Sequence, residues 1–133
     1  MDFALSEEQE AIFEMAKAFG EEHIAPHARD WENQGTIPRE IWGKLAELGF
    51  GGLYVSEESG GSGLSRLDAT LVFEGLSMAC PSVAAFLSIH NMCAGMLDKF
   101  GSPGIKERFL VPAVTMETVL SYCLTEPGSG SDA

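Results

Sequence analysis

The sequence predicts an all-α domain built as a bundle of helices, closing on the first strand of a second unit. Three observations carry this. Apolar residues recur at spacings of three and four through most of the chain, each run opens on a capping residue or a proline, and only 119–124 reads as strand. At 133 residues there is room for one ordinary domain, and 45% hydrophobic against 21% charged residues is a globular balance that excludes disorder and fibrous folds.

Ser6-Glu7-Glu8-Gln9 is a capping box, and Phe13, Ala16, Gly20 and Ile24 follow as one stripe of an amphipathic helix. Glu7, Glu8 and Glu10 sit in its first turn, where the helix dipole favours negative charge. Pro26 kinks or ends it. A second helix starts near Pro38, carries Ile41, Trp42, Leu45 and Leu48, and stops at Gly49. The glycine-rich stretch 50–55 has no clear preference and leads into a mobile surface loop at 57–63. Ser65 caps a third helix that ends before Pro81, and Ser82 caps a fourth that runs to about Phe100 with Gly101 as its stop. Both are apolar on most sides, as helices are that lie inside something larger or against a partner. Pro103 opens a fifth, reaching about Val114, with Pro112 as a local irregularity. Val119 to Leu124, with its aromatic and β-branched character, is the strand.

The 8 basic and 20 acidic residues leave a net charge of −12, which argues against nucleic acid and against an anionic membrane surface. No apolar run reaches the ~20 residues of a spanning helix. Cys80, Cys93 and Cys123 are unpatterned, as expected for reduced thiols. With an acidic amino terminus that is neither signal nor transit peptide, they point to the cytoplasm of a bacterial-type cell. The chain stops at Ser131-Asp132-Ala133 as though cut within an element, so it is expected to be a fragment.

His23 and His27 share a helical face, but Ile24 and Pro26 spoil the zinc-protease pattern, and the pair reads as partly exposed residues at a kink. His90, in an apolar helix, reads as a hydrogen-bonded residue of the core or of a pocket wall. Gly60-Gly61-Ser62-Gly63 lacks the Lys-Ser or Lys-Thr ending of a phosphate loop and reads as structural. Residues 122–133 differ in kind. Small residues directly after a strand let backbone amides and hydroxyls approach an anion closely, although a plain turn ended by Pro-Gly has the same composition.

Tyr122-Cys123-Leu124-Thr125-Glu126-Pro127-Gly128-Ser129-Gly130-Ser131-Asp132 resembles the flavin-binding signature of the acyl-CoA dehydrogenases. The resemblance extends over the whole chain. Leu5-Ser6-Glu7-Glu8-Gln9 resembles the family's opening helix, and Leu48-Gly49-Phe50 with Gly60-Gly61-Ser62-Gly63-Leu64 its helix-to-loop segment. Residues 49–55, 63–68 and Ser88-Ile89-His90-Asn91-Met92-Cys93 are most similar to its isobutyryl-CoA branch, of valine breakdown. Ser56 stands where many members carry proline.

The resemblance implies a helical amino-terminal domain at 1–117 and, at 118–133, the start of a middle β-domain with the flavin motif. It implies FAD, an acyl-CoA substrate desaturated between its α and β carbons, electron-transfer flavoprotein as electron acceptor, and a homotetramer. Tyr122 to Ser131 would contact FAD, with Leu124 and Thr125 toward the flavin ring and Gly130 and Ser131 toward the pyrophosphate. Ser131 would also lie near substrate, and Ala85, Ser88 and Met92 would wall the acyl pocket. The base glutamate of such enzymes belongs to a carboxy-terminal domain, so no catalytic residue is assigned within these 133, and the chain alone is expected to be inactive. Two alternatives stay open: an oxidase of the same kind, which would pass electrons to oxygen, and a free-standing helical interaction module.

Overall fold

Two capping boxes, one on each of two neighbouring helices, set the frame of the structure, a computed structural model that describes residues 4–132. Helix α1 (Glu7–Phe19) starts as expected: the Gln9 amide donates to Ser6 Oγ at 3.2 Å, and the Ser6 amide donates to Gln9 Oε1 at 3.1 Å. Helix α4 (Arg66–Ser77) opens on a like box between Ser65 and Asp68. The boxes are joined, since Gln9 Nε2 donates to Asp68 Oδ1 at 2.9 Å. Further along, a methyl group at Gly75 would stand 2.9 Å from the Lys17 amide and 3.0 Å from Phe13 O, and one at Gly20 would stand 3.0 Å from Ala79 Cβ. Contacts rise together along both helices, so α1 and α4 run side by side in the same direction with their backbones nearly touching.

Before Pro26, α1 loosens into a π-helical turn, Gly20–Ile24. The chain then forms α2 (Ala28–Gln34), ended by Gly35 in the left-handed conformation at φ 67°. No sequence signal marked this helix. It buries only Trp31, and one anchor makes no periodicity. Helix α3 (Arg39–Glu47) follows Pro38, which takes the capping position, and Gly49 at φ 79° turns the chain out of it.

The first correction is at 57–63, within a glycine-rich stretch, 50–64, that is bonded to itself and to α5. The segment expected to be mobile is tied down over its whole length. Phe50–Gly52 form a buried 3₁₀ turn so tight that a methyl group at Gly51 would lie 2.2 Å from Val114 O. Ser62, Gly63 and Leu64 donate their amides to the carbonyls of Gly52, Val55 and Leu53 at 2.8–2.9 Å. Asp98 accepts from the Ser56 amide at 2.9 Å and Ser59 Oγ at 2.6 Å while pairing with Lys106 Nζ at 2.9 Å. Polar side chains fold the loop inward. Its composition alone reads as solvated.

Helix α5 (Pro81–Phe100) begins two residues earlier than expected. Cys80 is at the capping position, Pro81 opens the helix and Ser82 lies within it, because a first-turn proline lacks only an amide that would be unpaired anyway. Ser102 then leads into α6 (Pro103–Ile105), a π-helical turn at Lys106–Leu110 and α7 (Val111–Val114); the turn absorbs the irregularity expected at Pro112. Residues 119–124 carry no regular structure, and among the described residues the one bridge pairs Glu126 with Ser129. A strand needs a neighbour to hydrogen-bond, and among the described residues none faces this segment. The main core joins Ala16, Trp42, Leu45, Phe50, Leu76 and Leu87, among others. A smaller one holds Val55, Ala94 and Leu110, with Leu97, Val114 and Leu120 packed against it.

Candidate functional site

Helix α5 has two faces of different character. Val83, Leu87, His90, Asn91 and Ala94 point inward and are buried. On the opposite side, at spacings of three and four, Ala85, Ser88, Ile89, Met92 and Met96 form an outer stripe that this chain leaves largely uncovered, with Phe100 at its end 72% exposed. Ala85, Ser88 and Met92, the expected wall residues, share that stripe. Ser88 Oγ donates to Ala85 O at 2.7 Å, and both residues border a groove against Thr70, Phe73 and Ser77 of α4. Met92 lies outside this groove, farther along the stripe.

At the far end, Cys93, Met96, Phe100 and Ile105 line an apolar cleft with Leu120, Ser121 and Tyr122. The stripe therefore runs from the α4 groove to the start of the segment that resembles a flavin signature. Cys93 and Cys123 are near enough that the thiols interact: burial first, then Cys123, pushes the Cys93 thiol up from its usual range.

From Tyr122 onward the chain is open. Glu126 and Ser129 exchange backbone hydrogen bonds at 2.8 and 3.1 Å, closing a two-residue turn over Pro127-Gly128, and Ser129 Oγ donates to Asp132 O. Among the described residues, the hydroxyls of Thr125 and Ser131 and the amides of 122–125 make no hydrogen bond. A methyl group at Gly128 or Gly130 would meet nothing within 4 Å. Amides and hydroxyls turned outward, with bare backbone between them, are a donor set of the kind that a flavin ring edge and a pyrophosphate accept. The residues present fit FAD on that chemistry.

His90 is fully buried, as expected of a core or wall residue. Nδ1 accepts from the Leu120 amide at 3.1 Å, so Nε2 carries the proton and is shared between Gly51 O at 3.0 Å and Ala113 O at 3.1 Å. Burial holds its pKa below 6.5 against the opposing pull of those carbonyls. Its neighbour Asn91, also fully buried, accepts from the Leu53 amide at 2.7 Å and donates to Phe50 O at 2.8 Å and Leu87 O at 3.1 Å. Asn91 and Asp98 escaped the sequence reading. The signal available was a polar residue beside His90 in an otherwise apolar helix. His23 and His27 hold no metal cluster among the described residues; their rings lie against Phe19 and Trp31.

The comparisons with known proteins agree with this geometry. Residues 6–117 match the family description "Acyl-CoA dehydrogenase, N-terminal domain". A mitochondrial isobutyryl-CoA dehydrogenase of Dictyostelium discoideum is 51% identical over 129 residues, 97% of this chain and 31% of its own length. The butyryl-CoA dehydrogenase structure from Megasphaera elsdenii superposes with a TM-score of 0.86 at 35% identity, covering 99% of this chain and 36% of that one. An FAD complex of PigA superposes at 0.89 with 34% identity, over 99% and 35% of the two chains. The chain belongs to the acyl-CoA dehydrogenase family, as its helical amino-terminal domain. It spans about a third of the length of the relatives it matches.

Proposed function

We propose that this domain serves an FAD-dependent dehydrogenase of a short, α-branched acyl-CoA, isobutyryl-CoA above all, as in valine breakdown. The observation that carries the reading is the uncovered stripe of α5, which joins the groove beside Ala85 and Ser88 to the open segment at Tyr122. An acyl chain laid along the stripe would meet Ser88, Ile89 and Met92 before reaching that segment. Bound FAD would supply the hydride acceptor. This chain's part is to hold and orient it: Leu124 and Thr125 at the ring, Gly130 and Ser131 at the pyrophosphate, Ser131 also toward substrate, with Tyr122, Cys123, Glu126, Pro127, Gly128 and Ser129 completing the contact segment.

The domain boundary is proposed at 117/118, with 118–133 belonging to the β-domain. The base glutamate, the electron-transfer flavoprotein that takes the electrons, and the other subunits of a homotetramer lie outside these residues. A cytoplasmic location belongs to the same proposal, on the three free thiols, and cell fractionation tests it.

Two measurements on the full-length protein test the reading. The kcat/KM for isobutyryl-CoA should exceed that for octanoyl-CoA, since Met92 stands on the stripe where a long acyl chain would have to pass, whereas Phe86 is turned aside and stacked on Trp42; each methylene is worth about 1–3 kcal/mol. Octanoyl-CoA as the best substrate would overturn the branch and spare the family. Thr125→Val should lower the flavin potential by about 30–65 mV, because one charge-assisted hydrogen bond to the reduced ring, worth about 1.5–3 kcal/mol, is lost. An unchanged potential would end the role given to Thr125.

A further inference from the structure

His90 stands 30 residues before Leu120, and it belongs to neither the stripe nor the flavin-like segment. Its ring nevertheless reaches three separate pieces of chain: the 3₁₀ turn at Gly51, the end of α7 at Ala113, and Leu120. Leu120 is the last residue before the open segment to pack on a core, through its side chain in the smaller cluster. Two residues later, Tyr122 is exposed, and among the described residues none from 122 onward packs on either core cluster. Among the described residues, the Leu120 amide thus meets its one acceptor, His90 Nδ1, at the point where the segment leaves the helical domain.

We propose that His90 is a positioning residue for the flavin-binding segment. Its Nε2–H, committed to the Gly51 and Ala113 carbonyls, keeps Nδ1 a bare acceptor, and Nδ1 fixes the Leu120 amide and with it the origin of Tyr122–Ser131. The inference rests on the reading of 122–131 as the FAD contact. Its physical content is the division of labour on one ring. One nitrogen is bound to the helical domain and the other to the departing chain, so the ring acts as a clamp whose two jaws can be removed separately.

Two substitutions do this. In His90→Gln the side-chain amide nitrogen reaches the region of Nε2 and can still donate to Gly51 O and Ala113 O, while nothing remains at the position of Nδ1. In His90→Asn the side-chain oxygen takes the place of Nδ1 and can still accept from Leu120, while the two carbonyls lose their donor. The experiment is hydrogen–deuterium exchange at the Leu120 amide in full-length, FAD-loaded protein, with the FAD Kd measured by flavin fluorescence and the melting temperature in parallel. His90→Gln should speed Leu120 exchange and raise the FAD Kd, each by about two- to tenfold for one hydrogen bond, with little change in melting temperature. His90→Asn should lower the melting temperature and leave the FAD Kd and the Leu120 exchange near wild type. Unchanged Leu120 exchange in His90→Gln would overturn the proposal. So would FAD Kd values that follow melting temperature alike in both variants, because that is what a purely structural histidine gives. A full-length protein that takes up no FAD would defeat the functional reading instead, and Leu120 exchange in that protein would still decide this one.

Discussion

Glycine does opposite things in two regions of this chain. At Gly51 and Gly61 a methyl group would lie 2.2 and 2.3 Å from the carbonyl oxygens of Val114 and Val55. At Gly128 and Gly130 it would meet nothing within 4 Å. In the first region glycine lets backbone press against backbone, and the polar groups trapped there are paired: among the described residues, no buried side-chain nitrogen or oxygen lacks a partner. In the second, glycine leaves backbone amides bare toward the outside. The first region is finished by its own contacts. The second is left open by this chain, which is the state the proposed FAD contact requires.

The contrast can be broken most forcefully at Gly51. Gly51→Ala should cost about 3 kcal/mol, the upper range for overpacking against rigid backbone, read from denaturation of the full-length protein followed by the fluorescence of buried Trp31 and Trp42. Asn91→Leu comes next, at about 2–3 kcal/mol, since it strands the Leu53 amide and the Phe50 carbonyl in the core.

Asp98→Asn should cost about 1–2 kcal/mol by weakening the charge-assisted bonds from Ser59, Ser56 and Lys106. Those bonds, Ser59 first, hold the Asp98 carboxyl well below its ordinary 3.8. The stability it contributes is therefore present above 3.8 and lost as pH falls through the lower folded value, so the variant should show a shallower acid limb.

His90 titrates the other way in origin and the same way in effect. Its neutral form is favoured in the fold, so stability should decline as pH drops below 6.5, where the unfolded chain takes up a proton and the folded one resists. Cys93, Asp98 and Lys99 on α5, with Glu117, Tyr122 and Cys123 on the segment that carries Leu120, are the titratable groups on the elements nearest the ring, and none of them contributes to its shift. A denaturation series from pH 7 to pH 5 checks this, and the decline should vanish in His90→Gln. Gly128→Ala and Gly130→Ala sit at the bottom of the scale, within about 0.5 kcal/mol, and their effect should appear in the FAD Kd alone.

The helices were legible where local chemistry repeats a known pattern. Ser6 with Gln9 announces the start of α1 within four residues of chain, Ser65 announces that of α4, and Gly49 announces the stop of α3. What escaped depends on partners distant in sequence. Asp98 makes the 56–63 loop rigid from about forty residues away, and no window on the loop contains that fact. α2 hides because Trp31 alone buries its face. The assignment of 122–131 to FAD, which is a proposal, has the converse origin: it rests on the sequence itself, small residues and hydroxyls in a fixed order, and on no packing.

The joined capping boxes bear on the net charge of −12. Parallel neighbouring helices bring like ends together, and at this seam two partly positive amino termini lie side by side. Glu7, Glu8, Glu10 and Asp68 gather over them, and the carboxyl of Asp68 is held below its usual range by Ser65 and Gln9. Some of the protein's acidity is thus a counterion to its own backbone, and the surface facing solvent there is less negative than a count of carboxylates suggests.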